Sequence, residues 1–324
     1  MAKSLVLGPF LIQMLLNFDR ESRNTRQALS GYFYDDDPSD IDSDIFGFEK
    51  RRKLTAESKN YRVFGAIFNS LFLQERFLLP FLNLEFRFVL NSADLFLHTN
   101  QKKKFRYEVV QAKLHTTYVK VVSSTKLEIE KTLATREARY HFRNPLVRVY
   151  SIPSNAIDFE ATSVFLNSKV PQLLCCALVK TKELHGNMQS TCFNYRDYGV
   201  RNVRLSIDGT SYPTFKGINV DMTSEIGKVE GYLSLCHHML LSNSGILPTL
   251  SNYSDGYAIY LFDMGQYVSF DYDHQQKLRS GSGRINLTFS DTSKNKNLSL
   301  IIFTLTDEVI SISSDRLVSK GYVS

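Results

Sequence analysis

Between Tyr198 and Val318 the chain alternates between apolar and polar positions. Val203, Leu205 and Ile207 fall on one side, and Arg204, Ser206 and Asp208 on the other. Asp208-Gly209 then makes a turn. Asp255-Gly256 opens the run Tyr257 to Phe262, and Gly281-Ser282-Gly283 opens Arg284 to Phe289, with Ile285, Leu287 and Phe289 on one face. Leu298 to Thr306 and Val309 to Ser313 close the series. Period-two alternation between turn dipeptides predicts antiparallel strands with one face in a core. Many short runs at close spacing predict a sandwich or jelly roll.

The earlier part of the chain mixes helix and strand patterns. Phe10, Leu11, Met14 and Leu15 form an apolar stripe, so residues 9–30 read as a helix. Leu84, Phe86, Phe88 and Leu90 alternate as a strand, and Phe105 to Val122 reads as two strands or one long bent one. Thr125-Lys126-Leu127-Glu128 is a capping-box pattern that predicts a helix to about Arg136. Tyr140 to Ile152 reads as a strand, with Pro145 confining it to an edge or bulge. Val170 to Lys182 is a strongly apolar strand. Ser224 caps a predicted helix over 225–241 that carries Ile226, Val229, Leu233, Cys236 and Leu240 at helical spacing. The two halves meet near 137–145 without a Pro/Gly/Ser-rich linker.

A length of 324 residues fits two domains or one large all-β domain, and an apolar fraction of 43% is enough to build cores. The net charge of +6 is mild. Its basic runs, Lys50-Arg51-Arg52-Lys53 and Lys102-Lys103-Lys104, read as solvated loops that touch nucleic acid at most weakly. Leu5 to Leu16 is broken by Gly8-Pro9, lacks a small-residue cleavage site and is too short to span a bilayer, so no membrane association is expected. Without a secretory signal, the sequons at Asn252, Asn286 and Asn297 are chance, and an intracellular location in cytoplasm or nucleus is expected.

Enzyme chemistry finds little footing. The sequence has no G-x-S-x-G, P-loop or H-E-x-x-H. Cys175, Cys176, Cys192 and Cys236 lack C-x-x-C spacing and read as buried thiols in a reducing compartment. Asp40, Asp42 and Asp44 match the start of an EF-hand loop, but Ile45 stands at the glycine position and Arg51 at the final glutamate position. His237-His238 is the closest histidine pair, and adjacent helical residues do not share a face. No catalytic, cofactor-binding or metal-binding residues are assigned, and no cofactor is expected.

Phe72-Leu73-Gln74-Glu75-Arg76-Phe77-Leu78-Leu79-Pro80, followed by Leu84 to Leu90, resembles the first-half signature of the Polinton (Maverick) major capsid proteins. Asn202 to Gly209, Asp255 to Met264, Ser282 to Phe289 and Val309 to Arg316 resemble that family's second half in the same order. The resemblance runs from about residue 10 to 320. It implies a mainly β double jelly roll with a few inserted helices: 1–140 as a partial first jelly roll and 141–324 as the second. Family members carry further first-jelly-roll strands before the segment corresponding to Met1, so the first sandwich is expected to be incomplete. The implied function is a structural capsid protein of a virus-like transposable element. It would form a homotrimer that tiles a shell and meets a minor capsid protein, located in the virion if assembled. A non-assembling remnant is the weaker form of this reading. The rival is a jelly-roll binding module for carbohydrate or nucleic acid.

Overall fold

The computed structural model describes residues 28–31, 33, 35, 41, 46–65, 67, 70–74, 76–101, 105–212, 214–241, 248–265, 279–290 and 297–321. The expected helix over 9–30 lies almost wholly outside these, apart from a single 3₁₀ turn at Ala28–Ser30. Among the described residues, four α-helices precede the strands: α1 (Phe46–Thr55), α2 (Ser70–Leu73), α3 (Ala93–Phe96) and α4 (Ser123–Thr135). The strands then follow as β1 (Ala138–Ile152), β2 (Asp158–Ala161) and β3 (Leu173–Lys180). After the single turn α5 (Thr181–Leu184) come β4 (Val200–Ile207), β5 (Thr210–Tyr212) and β6 (Ile218–Asn219). Helices α6 (Glu225–Leu241) and α7 (Leu250–Tyr253) lead to β7 (Ile259–Asp263), β8 (Gly283–Phe289), β9 (Leu298–Ile312) and β10 (Val318–Gly321).

The strands form two antiparallel five-stranded sheets. One has the order β1-β9-β3-β7, with β10 beside the end of β9. The other has the order β2-β8-β4-β5, with β6 also on β4. Because β5 and β6 line the same edge of β4, they act as one interrupted edge strand. Without the β10 addition, eight strands then remain, ordered 1-8-3-6 in one sheet and 2-7-4-5 in the other. The chain crosses between sheets at nearly every connection, which is jelly-roll topology. The mainly β expectation therefore holds, and the sandwich spans Ala138 to Gly321.

Sequence explains much of this arrangement. Asp208 and Gly209 both have positive φ, 51° and 83°. That geometry makes the two-residue turn joining β4 and β5. Pro145 lacks an N–H, and it stands on an edge strand, opposite Leu305 of β9. In β8 the burial alternates: Ile285, Leu287 and Phe289 are inside, while Arg284 and Thr288 are exposed. In β3 there is no alternation; Leu173 to Val179 are all buried. Continuous apolar runs of this kind belong to sheets covered on both faces. Here Leu174, Cys176 and Leu178 pack between the sheets, and Leu173, Cys175, Ala177 and Val179 pack under an outer layer containing Leu95, Tyr195, Leu235 and Tyr253.

Four expectations need correction. Segments 84–90 and 105–122 form no helix and no ladder among the described residues. Alternation marks what a segment would bury, and it forms a strand only where another backbone lies alongside. Leu298 to Ile312 is one 15-residue strand rather than two. It pairs with β1 throughout, which carries it past Asp307 and Glu308. Helix α4 starts at Ser123 without a side-chain cap, so Thr125 lies inside its first turn. Finally, the stripe expected to bury α6 is wrong: Ile226 and Leu233 are exposed, at 69% and 53%.

Candidate interaction surfaces

Helix α6 docks through its glycines. Ser224 Oγ accepts from Gly227 N at 3.0 Å, the expected N-cap. A Cβ on Gly231 would stand 3.3 Å from Val220 Cγ1 and 3.2 Å from the Tyr253 hydroxyl. Leu235 and Cys236 complete the buried side. At its glycines the helix therefore lies too close to the segment after β6 and to α7 for larger contact residues, and Ile226, Val229 and Leu233 face outward. Three-and-four spacing of large side chains did not reveal this face. The signal that could have found it is Gly227-x-x-x-Gly231 with Leu235, at four-residue intervals.

The β1–β9 ladder continues beyond the sandwich and joins the earlier half of the chain. Glu308 is buried; its carboxylate accepts from Asn144 Nδ2 at 3.0 Å and lies 2.6 Å from Lys320 Nζ. Arg143 Nε lies 3.5 Å from Asp307 Oδ1, both nearly buried. These ties link β1, β9 and β10 side by side. Beside them, the Tyr140 hydroxyl donates to Phe77 O at 3.1 Å, and Arg316 Nε donates to Pro80 O at 3.1 Å while pairing with Glu130 of α4.

A second junction lies on the outer layer. Asp35 Oδ1 accepts from Phe48 N at 2.8 Å, and its other oxygen pairs with Arg51. Arg51 Nη1 also donates to Phe33 O at 2.8 Å. The Tyr257 hydroxyl donates to Asp35 O. The basic run 50–53 is therefore helical, not a loop, and Arg51 is spent on internal contacts; Lys53 pairs with Glu49 one turn back. Lys102 to Lys104 and the Asp36–Asp40 and Asp42–Asp44 positions lie outside the described residues.

The remaining chemistry is sparse. Among the described residues, no three His, Cys, Asp or Glu side chains converge on a metal-sized point. Cys175, Cys176, Cys192 and Cys236 are buried and unpaired as thiols, as expected. Burial raises all four thiol pKa values, Cys192 to about 12. His237 and His238 stand on α6. A recess where β1, α5 and β9 meet is lined by Ser151, Thr181, Lys182, His185 and Asn297. His185 Nδ1 is already 2.7 Å from Thr181 O, within its own turn. No described helix is long and apolar enough to cross a membrane.

Many of the exposed large apolar side chains among the described residues belong to the earlier half. Phe77, Phe81, Leu84, Phe88 and Leu90 are exposed, as are Val110, Tyr118 and Val122. Scattered exposed apolar residues need no explanation, but a dense set of them within a short stretch of chain marks a candidate association surface.

No protein-family profile matches the chain. An uncharacterized protein of Caenorhabditis elegans, F54H12.2, is 22% identical over 305 residues, covering 92% of this chain and 70% of that one. Solved capsid structures are similar at lower levels. PBCV-1 VP54, in a structure fitted into the Sputnik virophage, is 9% identical, with 63% of this chain and 55% of that chain covered and a TM-score of 0.40. The PBCV-1 virus capsid is 10% identical, with 61% and 55% covered and a TM-score of 0.36. The mavirus major capsid protein is 9% identical, with 57% and 42% covered and a TM-score of 0.31. The chain thus spans about half the length of these solved chains or less.

Proposed function

We propose that this chain is a structural, non-enzymatic capsid-type protein whose copies associate with one another, in the full reading as trimers that tile a shell. The observation that carries the proposal is the strand order 1-8-3-6 over 2-7-4-5, a jelly roll with its first sheet buried on both faces. Jelly rolls also serve lectins and cupins. Those functions rest on polar groups converging on a ligand, whereas the support for association here is the set of exposed apolar side chains within 84–90 and 105–122, Leu84, Phe88, Val110 and Tyr118 among them. In this reading, residues 1–140 are a partial first jelly roll, 141–324 the second, and the gene derives from a virus-like transposable element. The minor capsid protein is a further partner, and the virion is the destination after assembly in cytoplasm or nucleus.

Light scattering coupled to size exclusion tests the proposal on the purified chain. Trimers and larger bodies in the absence of ligand support it. A monomer that changes state only when oligosaccharide or single-stranded nucleic acid is added overturns it in favour of a binding module.

A further inference from the structure

His98 lies between the two parts of the second junction. On one side its ring meets Phe48 of α1 edge-on, with centroids 6.3 Å apart. On the other, the neighbouring residue anchors to the sandwich's outer layer: Thr99 N donates to Met188 O at 2.7 Å. Leu95, three residues earlier, is buried in the outer core with Tyr195, Tyr257 and Phe303. His98 Nδ1 is buried and has no hydrogen-bond partner among the described residues. The charged group that reaches His98 is the Arg51 guanidinium; Asp35 lies behind it, bound to Arg51, and Tyr257 contributes a neutral phenol to Asp35's carbonyl. A protonated imidazole here would be a buried cation beside another cation, with no anion of its own among the described residues.

We propose that this junction is an acid-operated latch: protonation of His98 releases α1 and the 93–99 segment from the outer face of the jelly roll. The geometry has the parts such a switch needs: a neutral histidine at a seam, a fixed positive neighbour, and a contact on each side of it, Phe48 on α1 and the Thr99–Met188 bond on the body. Burial, then Arg51, lower the His98 pKa from 6.5 to about 4. The sign follows directly. A histidine whose folded pKa is depressed binds its proton better when released, so the closed state is fully favoured above about 6.5. It loses ground as pH falls from there toward 4. Those two values make the open state roughly twentyfold more populated at about pH 5 than at about pH 7. Asp35 has the opposite sign. Burial raises its pKa, so its protonation favours the closed form and offsets part of the effect at the acid end.

Hydrogen exchange read by mass spectrometry, corrected for intrinsic exchange at each pH, tests this on the full chain. Peptides over 46–55 and 93–99 are expected to lose roughly twentyfold in protection between about pH 7 and about pH 5, while β9 peptides keep theirs. His98→Phe keeps the edge contact to Phe48 and removes the titration, so its protection over 46–55 is expected to be flat across that range. Asp35→Asn keeps an acceptor for Phe48 N and is expected to retain the acid response. Equal protection of the wild type at both pH values overturns the latch, and so does a His98→Phe variant that opens as steeply as the wild type. If His98→Phe does not fold, the wild-type comparison alone still decides.

Discussion

Gly227 lies directly against the backbone of Asp221: a Cβ added to it would stand 2.5 Å from the Asp221 carbonyl oxygen and 2.7 Å from its nitrogen. Two effects therefore oppose each other in Gly227→Ala. Helix propensity favours alanine by about 1 kcal/mol. Steric overlap with a backbone that cannot swing aside costs about 1–3 kcal/mol. The overlap is with main chain rather than a flexible side-chain tip, so the variant is expected to be less stable. Ile226→Ala, on the exposed neighbour, is expected to stay within about 0.5 kcal/mol. Chemical denaturation of both variants checks this. A Gly227→Ala protein more stable than the parent would mean that α6 does not approach the Asp221 backbone this closely.

Leu287→Asp tests the inter-sheet core. Leu287 is fully buried, opposite Val203 on β4 and Phe159 on β2. An unpaired carboxylate there is expected to cost several kcal/mol and to unfold the sandwich at ambient temperature. Asn286→Asp is the comparison one residue away. Asn286 points to the other face, where its Nδ2 donates to Glu160 Oε2 at 2.9 Å. Its replacement exchanges that bond for a like-charge contact, eased by Arg284, which lies 3.4 Å from Glu160 Oε1. A loss of about 1 kcal/mol or less is expected on an exposed strand face. Equal melting shifts for the two variants would mean the strand register is off by one.

The sandwich was readable from sequence where one strand face meets water, as at Ile285, Leu287 and Phe289, because alternation records the difference between the faces. It was also readable at the Asp208-Gly209 turn, where positive φ narrows residue choice. Three features were not readable. Burial of α6 depends on glycines, which hydrophobic stripes pass over, so Ile226 and Leu233 looked like core. The apolar alternation of 84–90 and 105–122 records a preference for burial but not the presence of a neighbouring strand. The junction at Asp35, Arg51, His98 and Tyr257 was invisible for a third reason: its members are far apart in the chain, and none carries a local signature.

The cysteines offer a chemical test of burial. Cys175 and Cys176 point to opposite faces of β3, and both are fully buried. Burial raises both thiol pKa values, and raises Cys192 to about 12. The thiolate is the reactive form, so little of it exists at about pH 8 in the folded state. A thiol-specific chromogenic reagent is expected to leave Cys175, Cys176 and Cys192 unmodified in the native protein and to titrate all 4 cysteines after denaturation. Rapid native labelling of Cys175 or Cys176, located by peptide mapping, would mean that one covering layer of the first sheet opens readily.

Self-association is expected to depend on segment 105–122. Val110 and Tyr118 are 77% and 89% exposed. The stretch belongs to no ladder among the described residues, and it offers these apolar side chains to another copy. Lysine at these positions opposes association, because each added copy would bring like charges together and desolvate them. The double substitution Val110→Lys, Tyr118→Lys should leave the melting of the sandwich nearly unchanged, since each exposed position contributes within about 0.5 kcal/mol. The same protein should sediment as smaller species than the parent at equal concentration. Unchanged association would move the contact elsewhere, the outward α6 face of Ile226, Val229 and Leu233 being the next surface to substitute. A loss of several kcal/mol in stability would instead mean that Val110 and Tyr118 are packed within the monomer, and that the segment belongs to its core.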